Sequence, residues 1–181
     1  MSVDHTPPSS GPNVILTGFM GTGKSTVGRR LARRLGRSFV DTDELIESRH
    51  GPIPTIFAEH GEGRFREIER EVAAELAGAR GLVVSTGGRL LLDPNNVATL
   101  GASGPVVCLV ASVDALVERL QHGADERPLL QDGDPRRRIE ELLAARRDGY
   151  ARFPQVDTDG RTPDEVVDAV LAVLADASPT R

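Results

Sequence analysis

Residues 13–25 confine the chain to a narrow set of folds. Asn13-Val14-Ile15-Leu16 is a short apolar run, and Gly18-Phe19-Met20-Gly21-Thr22-Gly23-Lys24-Ser25 follows it almost at once. Val27, Leu31 and Leu35 then recur at helical spacing. A buried strand, a glycine-rich loop and an amphipathic helix together aim the helix N-terminus at an anion. The octapeptide has the form G-x-x-x-x-G-K-[ST]. In that pattern successive backbone N–H groups wrap nucleotide phosphates, the lysine meets the β- and γ-phosphates, and the hydroxyl ligates Mg²⁺. Lys24 is the only lysine in the 181 residues. Arginine has replaced lysine elsewhere, and its planar fork is a poor substitute inside such a loop. The segment is read as a nucleotide site built from Gly21, Thr22, Gly23, Lys24, Ser25 and Thr26.

The pattern then repeats in kind. Ser38-Phe39-Val40-Asp41 is a second short strand, Glu44 to Arg49 begins a helix, and Gly51-Pro52-Ile53-Pro54 breaks it. Ile56, Phe57, Phe65, Ile68, Val72 and Leu76 mark further helical segments. Leu82 to Thr86 is a third strand ended by Gly87-Gly88, and Val106 to Ala111 a fourth, before a helix carrying Leu116, Val117 and Leu120. Residues 121–136 turn polar and loop-like, which inside a compact domain points to a mobile functional loop. Ile139, Leu142 and Leu143 restore helical spacing; a brief Val156-Asp157-Thr158 strand and a helix from Pro163 to Leu174, capped by Thr162, follow. Strands alternating with helices imply right-handed crossovers and a parallel sheet covered on both faces. The expectation is a three-layer α/β fold with a five-stranded parallel sheet. One domain spans 13–175, with a lid at about 121–135, a disordered tail at 1–12 and another tail at 176–181. Ligands in such sheets bind at the strands' carboxyl ends. Three of those ends carry polar or glycine clusters: 18–25, Asp41-Thr42-Asp43, and Thr86-Gly87-Gly88-Arg89.

Composition removes some classes. A net charge of −5 gives no sign of a nucleic-acid partner. No apolar stretch approaches the ~18 residues of a membrane span, and residues 1–12 lack the apolar core of a signal peptide, so the cytoplasm is the expected compartment. The single cysteine, Cys108, lies in an apolar run and reads as a small buried hydrophobe. His5, His50, His60 and His122 show no metal-ligand spacing.

A nucleotide loop alone does not define an acceptor. Asp41 and Asp43 can divide labour, one meeting Mg²⁺ and the other a substrate hydroxyl; equally, Asp43 can cap a helix with Glu44 complementing its dipole. Arg66 flanks the face formed by Phe65, Ile68 and Val72, and on spacing alone pairs with Glu69 at the surface. Arg127-Pro128-Leu129-Leu130 places an arginine and apolar residues in the polar loop, as in a lid that carries cationic charge onto a transferring phosphate. Arg146 lies four residues before Tyr150.

These motifs, in this order from Asn13 to about Leu174, resemble those of shikimate kinases, P-loop enzymes that phosphorylate the 3-hydroxyl of shikimate with ATP. The resemblance rests on Gly18–Ser25, Phe39 to Asp43, Phe57 to Glu69, Gly87-Gly88, Arg127 to Leu130, Arg146 with Tyr150, and Asp157-Thr158 with Arg161 and Pro163. It implies that Lys24, Asp43 and Arg127 are catalytic, with Asp43 on the substrate hydroxyls. Arg66 and Arg146 would clamp the carboxylate, Gly87 and Gly88 contact the ring hydroxyls, and Arg119 and Arg161 lie along the adenine. Ser25 and Asp41 would serve Mg²⁺. It further implies a cytoplasmic monomer whose partners are ATP and shikimate. Two departures stand out. Arg89 replaces the family's usual third glycine, turned either outward or into the site, and Arg147-Asp148-Gly149 precedes Tyr150, which leaves Arg146 or Arg147 as the clamp. Glu62 and Glu69 either orient Arg66 or are simple surface charge. A kinase for another hydroxylated acceptor such as gluconate, or a silent nucleotide-binding module, are the alternative functions.

Overall fold

The computed structural model describes residues 11–122 and 134–176. Five strands, β1 (Val14–Gly18), β2 (Ser38–Asp41), β3 (Leu82–Ser85), β4 (Val106–Val110) and β5 (Gln155–Asp157), form one sheet. Their order is β2-β3-β1-β4-β5, and all four pairings are parallel. Seven α-helices surround it: α1 (Lys24–Leu35), α2 (Thr42–His50), α3 (Ile53–Gly78), α4 (Pro94–Leu100), α5 (Val113–His122), α6 (Pro135–Tyr150) and α7 (Pro163–Asp176).

Strand alternation sends successive side chains to opposite faces, and both faces are buried. Val14, Leu16, Val83, Val107 and Leu109 pack with Val27 and Leu31 of α1 and with Val166 and Val170 of α7. Ile15 and Val84 face the other way, onto Ile46, Ile56, Phe65, Ile68, Val72 and Leu100. A sheet covered on both sides is why these strands read as continuous apolar runs. A third cluster, Phe19, Cys108, Leu116, Leu120, Ile139 and Tyr150, lies where α5 and α6 meet the nucleotide loop. Burial pushes the Cys108 thiol up to about 12, so it is an inert core residue. Among the described residues no helix is long and apolar enough to cross a membrane.

The structure alters the expected elements at four places. α2 begins at Thr42, and its cap is Asp41, whose Oδ1 accepts from the backbone N–H of Asp43 at 3.0 Å and of Glu44 at 3.4 Å. Asp43 therefore does not cap, and its carboxylate is left for the cleft. α3 runs as one long element broken at Gly61, whose φ of 76° and ψ of 172° leave the helical region. Residues 90–103 fold into a 3-10 turn (Leu90–Leu92), α4 and a second turn (Gly101–Ser103), which the apolar spacing does not announce. Asp93-Pro94 is the signal that marks α4: Asp93 accepts from Asn95 N at 2.9 Å and Pro94 opens the helix. At α7 the expected cap forms a reciprocal box. Glu165 N donates to Thr162 Oγ1 at 3.3 Å, and Thr162 N to Glu165 Oε2 at 2.7 Å. Asn13 is buried rather than part of the strand, donating to Leu76 O and Ala79 O and accepting from Leu82 N, which ties α3 and β3 to the start of β1.

Candidate active site

The donor half is local. Gly23 caps α1 with φ 88° and ψ 15°, a left-handed conformation that glycine adopts without strain. Thr22 is buried, and its hydroxyl donates to Phe19 O at 2.8 Å, so the side chain pins the loop from within. Lys24 Nζ donates to the same carbonyl at 2.9 Å. Ser25 Oγ donates to Asp41 Oδ2 at 2.6 Å, while the other Asp41 oxygen caps α2. Two hard oxygen ligands thus adjoin at the end of β2. Ser85 is the register partner of Asp41 and shares its sheet face. Its Oγ is buried and without a hydrogen-bond partner. Mg²⁺ binds through one or two carboxylates plus phosphate and keeps several waters. An acidic oxygen and a hydroxyl, both in the wall of the cleft, fit an ion of that kind.

The residues expected on the acceptor side come from four elements, and of these Asp43 and Gly88 line the cleft. Asp43, in the first turn of α2, lies so close to the loop after β3 that a Cβ on Gly87 would be 2.5 Å from its Oδ1. Gly87 N donates to Thr42 Oγ1 at 2.8 Å, which locks this approach. The Asp43 carboxyl is pushed up to about 6, chiefly by burial, then by Asp41 and Glu69; Lys24 pulls the other way and Glu47 adds a smaller upward push. A cleft of about 630 Å³ has Lys24, Ser25, Asp41, Asp43, Thr86 and Gly88 in its walls, so donor and acceptor groups share one space.

Arg146 and Arg147 separate cleanly. Arg146 is 8% exposed and lies over the Phe19 ring at 5.2 Å, its charge favouring the ionised form of Tyr150, whereas Arg147 is exposed. Tyr150 Oη in turn donates to Gly88 O at 2.6 Å, and a Cβ on Gly88 would lie 3.6 Å from Arg146 Nη1. The guanidinium therefore sits at the Gly88 edge of the cleft.

Arg66 is not a surface pair. Its Nη1 donates at 2.5 Å to Glu69 Oε2, a side chain only 3% exposed, and its Nε and Nη2 reach Glu62 Oε1 at 3.2 and 3.0 Å. Burial raises the Glu69 pKa, and Arg66 partly offsets it. Arg119 braces the other end of the site, donating to Thr158 Oγ1 and O at 2.9 Å each and to Gly21 O at 3.4 Å. Arg161 is exposed on the turn before α7. Arg127 and most of the expected lid lie outside the described residues. Thr42, Ser85 and Tyr150 are positioning groups whose part composition and spacing do not single out; Thr42 and Tyr150 belong to quoted motifs, Ser85 to none.

Residues 20–175 match the family model for shikimate kinase. The chain belongs to the shikimate kinase family. A shikimate kinase from Geobacter sulfurreducens is 47% identical over 169 residues, covering 92% of this chain and 93% of the relative. A solved shikimate kinase from Acinetobacter baumannii, in complex with shikimate, superposes with a TM-score of 0.86 at 34% identity, covering 94% and 97% of the two chains. A gluconokinase from Sinorhizobium meliloti 1021 is similar at 24% identity and a TM-score of 0.64, covering 92% of this chain and 93% of that one, a likeness of fold. The 3-10 turn that follows Arg89 packs against the segment before Tyr150. Arg89 has φ −111° and ψ −9°, a backbone that needs no glycine, and opens the Leu90–Leu92 turn. Leu92 Cδ2 fills the space beside Gly149, where a Cβ would lie 2.4 Å away. Arg89 itself pairs with Glu62 Oε1 at 2.9 Å.

Proposed function

We infer that the chain transfers the γ-phosphate of ATP to the 3-hydroxyl of shikimate, yielding ADP and 3-phosphoshikimate. The observation that carries the reading is the Asp43 carboxyl, held at about 6 against Gly87 in the same cleft as Lys24. It is ionised at neutral pH yet basic enough to take a proton from an alcohol as the oxygen attacks phosphorus. Shikimate is a polyhydroxylated carboxylate and needs two recognition chemistries. Arg66 and Arg146 supply guanidinium donors for its carboxylate, while Asp43 and the Gly87-Gly88 backbone meet its hydroxyls. The shikimate complex of the Acinetobacter relative supports this acceptor.

On the donor side Lys24 neutralises charge on the β- and γ-phosphates, with the backbone of residues 21–26 around them. Arg119 and Arg161 border the adenine. Ser25 and Asp41 would hold Mg²⁺; when bound, the ion neutralises phosphate charge. The assignment of Arg127 to the transferring phosphate follows from its sequence context. The acting form proposed is a cytoplasmic monomer, in keeping with the lone buried cysteine.

A coupled ADP-release assay with shikimate, gluconate or no acceptor tests the reading. Turnover stimulated by shikimate alone is the expected result. Turnover with gluconate alone would overturn the acceptor, and tight ATP binding with no turnover on any acceptor would overturn the activity.

A further inference from the structure

We propose that Arg89 is a positioning residue that acts through Glu62, giving that carboxylate a second cation when an acceptor carboxylate displaces it from Arg66. The inference rests on the acceptor reading above.

The guanidinium of Arg66 has two differently held edges. Nη1 is anchored to the buried Glu69. The Nε/Nη2 edge, which offers the parallel pair of N–H groups suited to a bidentate carboxylate, is taken by one oxygen of Glu62. That same oxygen accepts from Arg89 Nη1 at 2.9 Å, so three N–H groups from two arginines converge on it. Glu62 is 53% exposed and follows the Gly61 break in α3, so it sits at the accessible end of this group.

A substrate carboxylate that binds Arg66 side-on must displace Glu62. Without Arg89, the displaced carboxylate has lost its cation and Arg66 faces two carboxylates, a cluster of net charge −1 toward an anionic ligand. With Arg89 the four side chains are neutral, and Glu62 keeps a partner after exchange. Arg89 is half exposed and directed at Glu62, so its effect is exerted on binding rather than on the transferring phosphate. Exposed pairs of this kind carry small energies, which translates to a two- to fivefold effect on acceptor affinity, on the order of one exposed salt bridge.

The test is steady-state kinetics on the full chain for wild type, Arg89→Gly, Arg89→Lys, Glu62→Gln and the Arg89→Gly/Glu62→Gln double variant. Expected are a raised shikimate KM in Arg89→Gly with kcat and the ATP KM unchanged, recovery in Arg89→Lys, and no effect of Arg89→Gly once Glu62 is glutamine. An unchanged KM in Arg89→Gly overturns the proposal. So does an equal KM increase in the Glu62→Gln background, which would mean direct contact with the substrate, or a fall in kcat without a KM change. Wild-type failure to turn over shikimate would instead defeat the acceptor reading, so the two failures are distinguishable.

Discussion

The two halves of the cleft are built on opposite plans. The donor half is contiguous: residues 21–26 are shaped by their own backbone, with Thr22 and Lys24 both returning to the carbonyl of Phe19. The acceptor half proposed above would draw Asp43 from α2, Arg66 from α3, Gly87-Gly88 from the loop after β3 and Arg146 from α6. Its groups are also held against their preferences. Asp43 and Glu69 are both raised, mainly by burial. Phosphate recognition asks for local backbone N–H groups and a cation, which one loop can supply. Recognition of a particular small molecule asks for several charges at fixed separations, which only tertiary packing supplies. The acceptor half is therefore the part of this molecule where function opposes stability.

Asp43→Asn probes that contrast most sharply. Removing the base should lower kcat by about 10²- to 10⁴-fold, with ATP affinity, read by titration, unchanged. Because the folded carboxyl titrates at about 6 against an ordinary 3.8, the folded state binds more protons between those values. Stability therefore falls as pH rises through that window, and the penalty is fully present above it. An asparagine does not ionise. At pH 7 the variant should be more stable by on the order of 1–3 kcal/mol, a gain that disappears by about pH 4. Thermal melts at both pH values check this. A variant that loses ATP affinity, or melts lower at pH 7, would break the separation of the two halves. In the wild type, kcat/KM for the acceptor should decline below about pH 6 as Asp43 takes up its proton.

Gly87→Ala is the next largest. The new Cβ would fall 2.5 Å from Asp43 Oδ1, so the carboxylate or the loop must shift. Misplacing a base by about 1 Å costs on the order of 100-fold in acceptor kcat/KM, again with ATP binding intact. An equal loss of ATP affinity would show that the displacement reaches the phosphate loop.

The contrast also explains what is legible in the sequence. The strand, loop and helix of the donor half can be read directly, since spacing and local conformation determine them. So can the sheet, the Thr162 cap and the order of elements outside residues 90–103. Which aspartate caps α2 cannot be read, because Asp41 and Asp43 both suit the position and the choice depends on where β2 stops pairing with β3. The spacing of Arg66, Glu62 and Glu69 is visible, but the burial of Glu69 depends on how α3 packs against residues 90–100. Ser85 looks like an ordinary strand end until its neighbour in register is known to be Asp41.

The choice between Arg146 and Arg147 is a question of helical phase, and it yields the finest comparison. Neighbouring residues on a helix point about 100° apart, so only one of the two can face Gly88. The seat of Gly149 against Leu92 sets the phase of α6 at this point, placing Arg146 over Phe19 and beside Gly88 and leaving Arg147 exposed. Arg146→Ala should raise the acceptor KM by about 10- to 100-fold, the worth of a charge-assisted hydrogen bond. Arg147→Ala should stay within about twofold, as for an exposed residue away from any packed group. Both are read in the same assay at fixed ATP. Because the same helical turn carries both arginines, a general weakening of α6 would move them together, whereas a carboxylate clamp at the Gly88 edge moves only the first. A reversed order would place the phase of α6 one residue away from that set by Gly149. Inserting a methyl there, with Gly149→Ala, should then be harmless to acceptor binding instead of raising the KM toward that of Arg146→Ala.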